Sequence, residues 1–222
     1  MAEVDLLRAL PKTKRNIQKR SDAKDASVVQ ISKQFGEMYF DGPREYGYGG
    51  YRYDGRWMPV ARDIVDHFGL KPGMRVLDVG GAKGFLVKDL MQVCPRLDAF
   101  GLDISAYALM HCEPEAIGRL HLGTAESLPF PDRSFDAVIS INTIHNLDHD
   151  GCLRALREMT RLCRDPAKCY VQVDAYRTDN EKALFESWCL TAITYLTPAE
   201  WVGLFRMAGY AGDYYWTILQ GA

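Results

Sequence analysis

The sequence has no apolar run approaching the roughly 18 residues that cross a bilayer, and its first ten residues carry Glu3 and Asp5 instead of the apolar centre of an export signal. It also lacks an excess of either charge. With 27 basic and 29 acidic side chains the formal net charge is −2, so no global attraction to nucleic acid or anionic lipid is expected, and any such contact has to be local. The six cysteines, Cys94, Cys112, Cys152, Cys163, Cys169 and Cys189, include no Cys-x-x-Cys pair. Several sit in apolar segments, which points to reduced thiols and a cytoplasmic protein. No Cys/His group has ligand spacing, so a metal site is not expected. Internal repeats and low-complexity tracts are missing as well.

What is present is 222 residues, 47% of them hydrophobic, enough for one good-sized core with an appended segment. Helical spacing of Val60, Ile64, Val65 and Phe68 predicts a helix over 59–68, closed by the turn signals Gly69, Pro72 and Gly73. A strand over 76–79 runs into a glycine turn and a helix over 84–93. Strands over 97–103, 119–122, 135–141 and 168–174 follow, with helices from Ser105 to about 112 and over 150–163 between them. An amphipathic stretch covers 181–195, Thr197-Pro198 opens a helix that ends at Gly209, and a last strand is expected over 214–219. Strands alternating with helices predict an α/β fold: a doubly wound, mainly parallel sheet with helices on both faces and ligands outside the strand C-termini. The expected division is a segment over 1–58 and a ligand-binding domain over 59–222.

The stretch Val76-Leu77-Asp78-Val79-Gly80-Gly81-Ala82-Lys83-Gly84-Phe85 is an apolar strand ending in an acid, then a tight glycine turn, then an apolar helix. Asp103 stands at the next strand end, about 20 to 25 residues on, where a carboxylate can accept hydrogen bonds from two ribose hydroxyls. Glu126 follows a third strand. The turn does not match Gly-x-Gly-x-x-Gly, which disfavours a nicotinamide dinucleotide.

These residues resemble the class I S-adenosylmethionine-dependent methyltransferases, in particular the type 11-like group with a Leu-Pro-Phe motif that acts on small molecules. Asp78 to Gly84 looks like the family's glycine loop, Gly101 to Ser105 its ribose segment, Thr124 to Phe130 its adenine-side segment, and Asn142 to Leu147 its loop after the fourth strand. Ala82 replaces the usual middle glycine, Thr124 a frequent Asp, and Asp165-Pro166-Ala167-Lys168 the usual Lys-Pro-Gly-Gly turn. Fewer residues follow Gly209 than the family's two closing strands need, so a shortened sheet edge is expected. The resemblance implies a Rossmann-like fold, S-adenosyl-L-methionine as cofactor, and contacts from Asp78, Gly80, Gly81, Gly84, Asp103, Ile104, Ala125, Glu126 and Asn142. It further implies methyl transfer to an oxygen or nitrogen atom of a small molecule. His145, whose ordinary pKa lies near neutrality, is the first candidate for a base, His149 a weaker one, and Asp174 at the fifth strand end can orient an acceptor.

Two segments before residue 58 stand apart. In residues 41–57, Tyr46, Tyr48, Tyr51, Tyr53 and Trp57 alternate with glycines, as in a lid over a pocket or in a surface loop packed on its domain. Trp188, with Tyr195, is expected to form an opposite wall. The basic block over 12–20 suits either a solvated face or a grip on phosphates. Alternatives are therefore an RNA or protein methyltransferase anchored by that block, and a cofactor-binding partner protein without catalysis; nucleic acid and membrane are not the expected partners.

Overall fold

Short apolar runs build the centre of the molecule. In a computed structural model, which describes residues 1–11 and 17–219, β1 (Arg75–Val79), β4 (Ala137–Ile141) and β5 (Cys169–Asp174) are buried along almost their whole length. That is the condition of parallel strands covered on both faces. β2 (Asp98–Asp103), β3 (Leu120–Leu122) and β6 (Asp213–Thr217) complete a six-stranded sheet in the order β3-β2-β1-β4-β5-β6, every pair parallel. The order reverses between β1 and β4, which opens a crevice at their C-terminal ends. Val79 is in register with Leu102 and Ser140, so the residues that follow these three strands emerge side by side.

Helices cover the two faces. On one, α4 (Met58–Phe68) and α5 (Phe85–Val93) set Val60, Ile64, Leu86 and Leu90 against Val76 and Ile139. On the other, α7 (His149–Leu162) and α9 (Pro198–Ala208) set Leu156, Met159, Trp201 and Phe205 against Leu77, Val138 and Val171. The stop and start signals act locally. Ser105 accepts from the Ala108 amide to cap α6 (Ala106–Met110), and Thr197 with Glu200 forms a capping box behind Pro198.

One strand, β6, follows α9 at this sheet edge, and beside it lies a segment that sequence patterning did not show. The Val4 amide donates to the Tyr214 carbonyl (2.9 Å), and the Tyr214 amide donates to Ala2 (3.0 Å), so the start of the chain lies parallel along β6. The Tyr170 hydroxyl donates to the Val4 carbonyl and fastens it from below.

Before α4 the chain forms three short helices, α1 (Ile17–Ala23), α2 (Ala26–Ser32) and α3 (Glu37–Phe40), which are not among the expected elements. Residues 12–16 of the basic block lie outside the described residues, and residues 17–20 open α1. The Lys24 ammonium donates to the carbonyls of Glu186 and Cys189 (2.7 Å to the latter), joining this segment to the end of α8 (Asp179–Trp188). The amphipathic stretch over 181–195 is thus helical only to Trp188. Beyond it the Ile193 and Thr194 amides donate to the His145 carbonyl, and β-branched Thr191, Ile193 and Thr194 fit that extended path better than a helix. Among the described residues no helix is long and apolar enough to cross a membrane, and no group of His, Cys, Asp and Glu is arranged to hold a metal ion.

Candidate functional site

The turn after β1 is held by glycine at the position where it must be. Gly80 has φ +88°, and a Cβ there would stand 2.0 Å from Thr143 Oγ1. Its amide and that of Gly81 both donate to the Leu102 carbonyl (2.7 and 3.1 Å), folding the turn onto β2. Ala82 also adopts a left-handed conformation, φ +46°, and its amide donates to Asp103 Oδ2 (2.8 Å). Its buried methyl group packs with Phe40 and Ala108, so the alanine fastens the N-terminal segment to the turn.

Two carboxyl groups flank this turn. Asp78 is buried, and burial, reinforced by the negative charge of Asp103, pushes its pKa up to about 7. Burial also raises Asp103, against the backbone amides of Ser105, Ala82 and Ile104, which hydrogen-bond its ionised form. Asp103 Oδ1 accepts from Ser105 and Oδ2 from Ala82, both at 2.8 Å. A carboxylate has about four lone-pair directions, so the group retains capacity for a further donor such as a hydroxyl.

One cavity of about 740 Å³ runs across the strand ends. Following the strand order, it is lined by Asp103 and Ile104 after β2, Asp78, Gly80, Gly81 and Ala82 at β1, Asn142, Thr143 and His145 after β4, and Asp174 at β5. Ala125, Tyr48, Tyr51, Trp57 and Trp188 line it too. Six residues expected at the site do not. Gly84 has φ +77° and faces Ala116, whose Cβ would lie 2.6 Å from an added Cβ, so its need for glycine comes from packing. Glu126 is paired at 2.5 Å with Arg154 on α7. The Tyr53 hydroxyl donates to buried Asp89 (2.5 Å) beneath Lys88, and Tyr46 stands outside the lining. His149 is the first residue of α7 and Tyr195 also stands outside the lining. Conversely Tyr39 and Thr191 line the cavity from segments that no local pattern marked, and Arg20, Arg44 and Thr143 line it from the basic block, the glycine-rich segment and the loop after β4, without having been named individually.

His145 is buried and meets Asp174 twice. The Asp174 backbone amide donates to His145 Nδ1 (3.1 Å), and Nε2 faces Asp174 Oδ2 (3.4 Å). An Nδ1 that accepts is unprotonated, so the proton of the neutral ring sits on Nε2, toward the carboxylate. The ring's lone pair is thereby occupied, and the group with an oxygen chemistry to offer is Asp174. Trp201, fully buried in α9, donates Nε1–H to the Asp174 carbonyl (3.0 Å) and fixes the strand end from the other side. Asn142 takes φ +52° at the end of β4, where its amide donates to Gln172 and its Oδ1 accepts from Thr217.

The glycine- and tyrosine-rich segment reaches the turn through a shared carboxylate. Asp41 Oδ2 accepts from the buried Lys83 ammonium (2.6 Å) and from the Tyr107 hydroxyl (2.8 Å), and its Oδ1 accepts from the Tyr51 amide (3.1 Å). Tyr51 stacks on Phe85 at 4.6 Å between ring centres, and Tyr48 lies on Tyr51 at 4.3 Å. Burial raises the Tyr51 phenol well above its usual pKa, with the negative charges of Asp78 and Asp103 adding to it, so it stays neutral.

Comparison with known proteins agrees with this geometry. Residues 77–171 match a family model described as a methyltransferase domain. The ubiquinone/menaquinone biosynthesis C-methyltransferase UbiE of Hahella chejuensis is 34% identical over 125 residues, which are 50% of this chain and 47% of that protein. Sterol 24-C-methyltransferase ERG6B of Gibberella zeae is 30% identical over 106 residues, 44% of this chain and 28% of its own length. The chain thus spans less than half the length of these two relatives. The crystal structure of the [4+2]-cyclase SpnF shares the fold, with a TM-score of 0.57 at 19% identity over 80% of this chain and 72% of that one. Residues 77–171 thus carry a methyltransferase domain of the class I S-adenosylmethionine-dependent kind, with the glycine turn and Asp103 inside it.

Proposed function

We propose that the protein transfers a methyl group from S-adenosyl-L-methionine to an oxygen or nitrogen atom of a small molecule. The observation that carries this reading is the single cavity in which the Gly80 turn and Asp103 share space with the Asp174–His145 pair. When bound, the cofactor supplies a methyl carbon already activated by its sulfonium, so the residues of the chain have mainly to align and enclose. Asp103 would accept from the ribose hydroxyls, with Ile104 and Ala125 along the adenine and the Gly80 turn, where any Cβ would strike Thr143, giving close approach. Asp78 belongs to the same group, whereas Gly84 supports the turn from outside the cavity. Asp174 would hold the acceptor's O–H or N–H and take its proton; His145 acts as a positioning residue that keeps the carboxylate aimed. Residues 17–57, through Tyr48, Tyr51 and Trp57, form the lid that excludes water, and Trp188 the opposite wall.

A carbon acceptor is the second reading, favoured by the two relatives named as C-methyltransferases. Incubating the protein with donor labelled at the methyl carbon and a small-molecule extract distinguishes them. Product carbons with the chemical shifts of O- or N-methyl groups support the first reading, C-methyl shifts the second, and no labelled product from any extract overturns both.

A further inference from the structure

We infer that Asp41 is a positioning residue for the cofactor: it holds the two loops that carry the donors to Asp103 at the spacing that keeps this carboxylate aimed, and so makes residues 35–51 one wall of the cofactor half of the cavity. The inference rests on the reading of Asp103 as the residue that takes the ribose hydroxyls.

The two amides on Asp103 belong to separate loops. Ala82 lies in the turn after β1 and Ser105 caps α6 after β2, and each donates at 2.8 Å to its own carboxylate oxygen. Lys83 stands next to Ala82 in the first loop, and Tyr107 two residues beyond Ser105 in the second. Asp41 Oδ2 accepts from both, at 2.6 Å from the Lys83 ammonium and 2.8 Å from the Tyr107 hydroxyl. Asp41 thus repeats, from the N-terminal segment, the bridge that Asp103 makes from the end of β2.

Further contacts tie the same segment to the same two loops. The Ser105 hydroxyl donates to the Phe35 carbonyl while accepting from the Ala108 amide (3.0 Å), and Phe40 packs with the methyl group of Ala82. Phe35 takes φ +48°, a left-handed backbone that a bulky residue adopts only where the surrounding contacts hold it. Asp41 Oδ1 accepts from the Tyr51 amide, and the Tyr51 ring lies on Phe85 at the start of α5. Phe35, Phe40 and Tyr51 line the cavity together with Ala82, Asp103 and Ile104. A binding group works when it is held within about 0.5 Å of its productive geometry, and for Asp103 the spacing of the two loops sets that geometry. The coupling is reciprocal: the order that the segment lends to the cofactor site, a bound cofactor lends to the segment.

The test is calorimetric titration of the full chain with S-adenosylhomocysteine. Asp41→Asn and Tyr107→Phe should each weaken binding about tenfold, within the usual range of coupling between linked sites, and Asp41→Glu, which keeps the charge, should recover part of the loss relative to Asn. The double variant should lose less than the product of the two single losses, because both act through one bridge. Asp213→Asn is the control. Asp213 accepts from the Ala2 amide (2.7 Å) and pairs with His67 (3.0 Å) at the start of β6, away from the strand ends that form the cavity, so its replacement should disturb the fold and leave the affinity unchanged. In the unaltered protein, saturating S-adenosylhomocysteine should slow proteolytic cleavage within residues 35–51 by about tenfold. Unchanged affinity in both Asp41→Asn and Tyr107→Phe, an equal loss in Asp213→Asn, or cleavage indifferent to the ligand would overturn the inference, and the cleavage measurement decides even where a variant does not fold. Failure of S-adenosylhomocysteine to bind the unaltered protein would count against the methyltransferase reading instead.

Discussion

Replacing Asp78 by Asn should stabilise the protein at neutral pH and leave it unchanged in acid. The carboxyl lies at the end of β1 with no solvent exposure to speak of, and burial with the neighbouring Asp103 charge raises its pKa from 3.8 to about 7. A folded-state pKa above the unfolded one means that the folded protein holds the proton longer. Folding then carries no penalty below about pH 4, loses stability steadily as pH rises, and bears the full penalty above about pH 7. At about 1.4 kcal/mol per pH unit, the interval from 3.8 to about 7 amounts to about 4 kcal/mol. Asn keeps the shape and removes the charge, so urea unfolding of both proteins from pH 4 to pH 8 should show two curves that coincide at the acid end and diverge toward neutrality. A stability difference independent of pH, or a variant less stable at pH 8, would refute the assignment of a strained carboxylate at this strand end. Such strain is intelligible at a binding site, where a charge is held ready at a cost to the fold.

Other perturbations follow from named contacts. Gly80→Ala should destabilise by about 2–5 kcal/mol in urea, the left-handed backbone and the overlap with Thr143 adding together. Asp41→Asn removes the partner of buried Lys83 and should cost about 1–3 kcal/mol; limited proteolysis within residues 17–57 should become faster, and unchanged cleavage would contradict the clasp. In a methyl-transfer assay Asp174→Asn should lower kcat about 100-fold or more, and His145→Gln by less, with S-adenosylhomocysteine affinity retained in both. An equal loss for the two variants would instead place His145 in direct contact with the acceptor.

The parts of the fold that depend on short-range rules were legible before the structure. Runs such as Val138-Ile139 and the turn at Gly80 declare themselves because burial on both faces and left-handed backbone admit few residue types. Asp103 is singled out by its distance from that turn, and the structure shows two amides that hold it. What escaped depends on contacts made late in the chain's path. Glu126 was expected beside the cofactor; Arg154, 28 residues on, pairs with it outside the cavity lining. Asp25 caps α2 by accepting from Val28, a signal that was present but passed over among polar neighbours. The partnership of Ala2 and Val4 with Tyr214 and the convergence of Arg20 with Arg44 have no local signature at all. For His145 the residue type suggested a base, and only the geometry showed that its one lone pair faces the Asp174 amide.

The central claim is that the crevice at the ends of β1, β2 and β4 binds an adenosyl cofactor through Asp103. Isothermal titration with S-adenosylhomocysteine tests it most directly. One site per chain is predicted, weakened about 100-fold in Asp103→Ala through loss of two hydrogen bonds to a charged group. No heat of binding to the unaltered protein, or full affinity in Asp103→Ala, would contradict it.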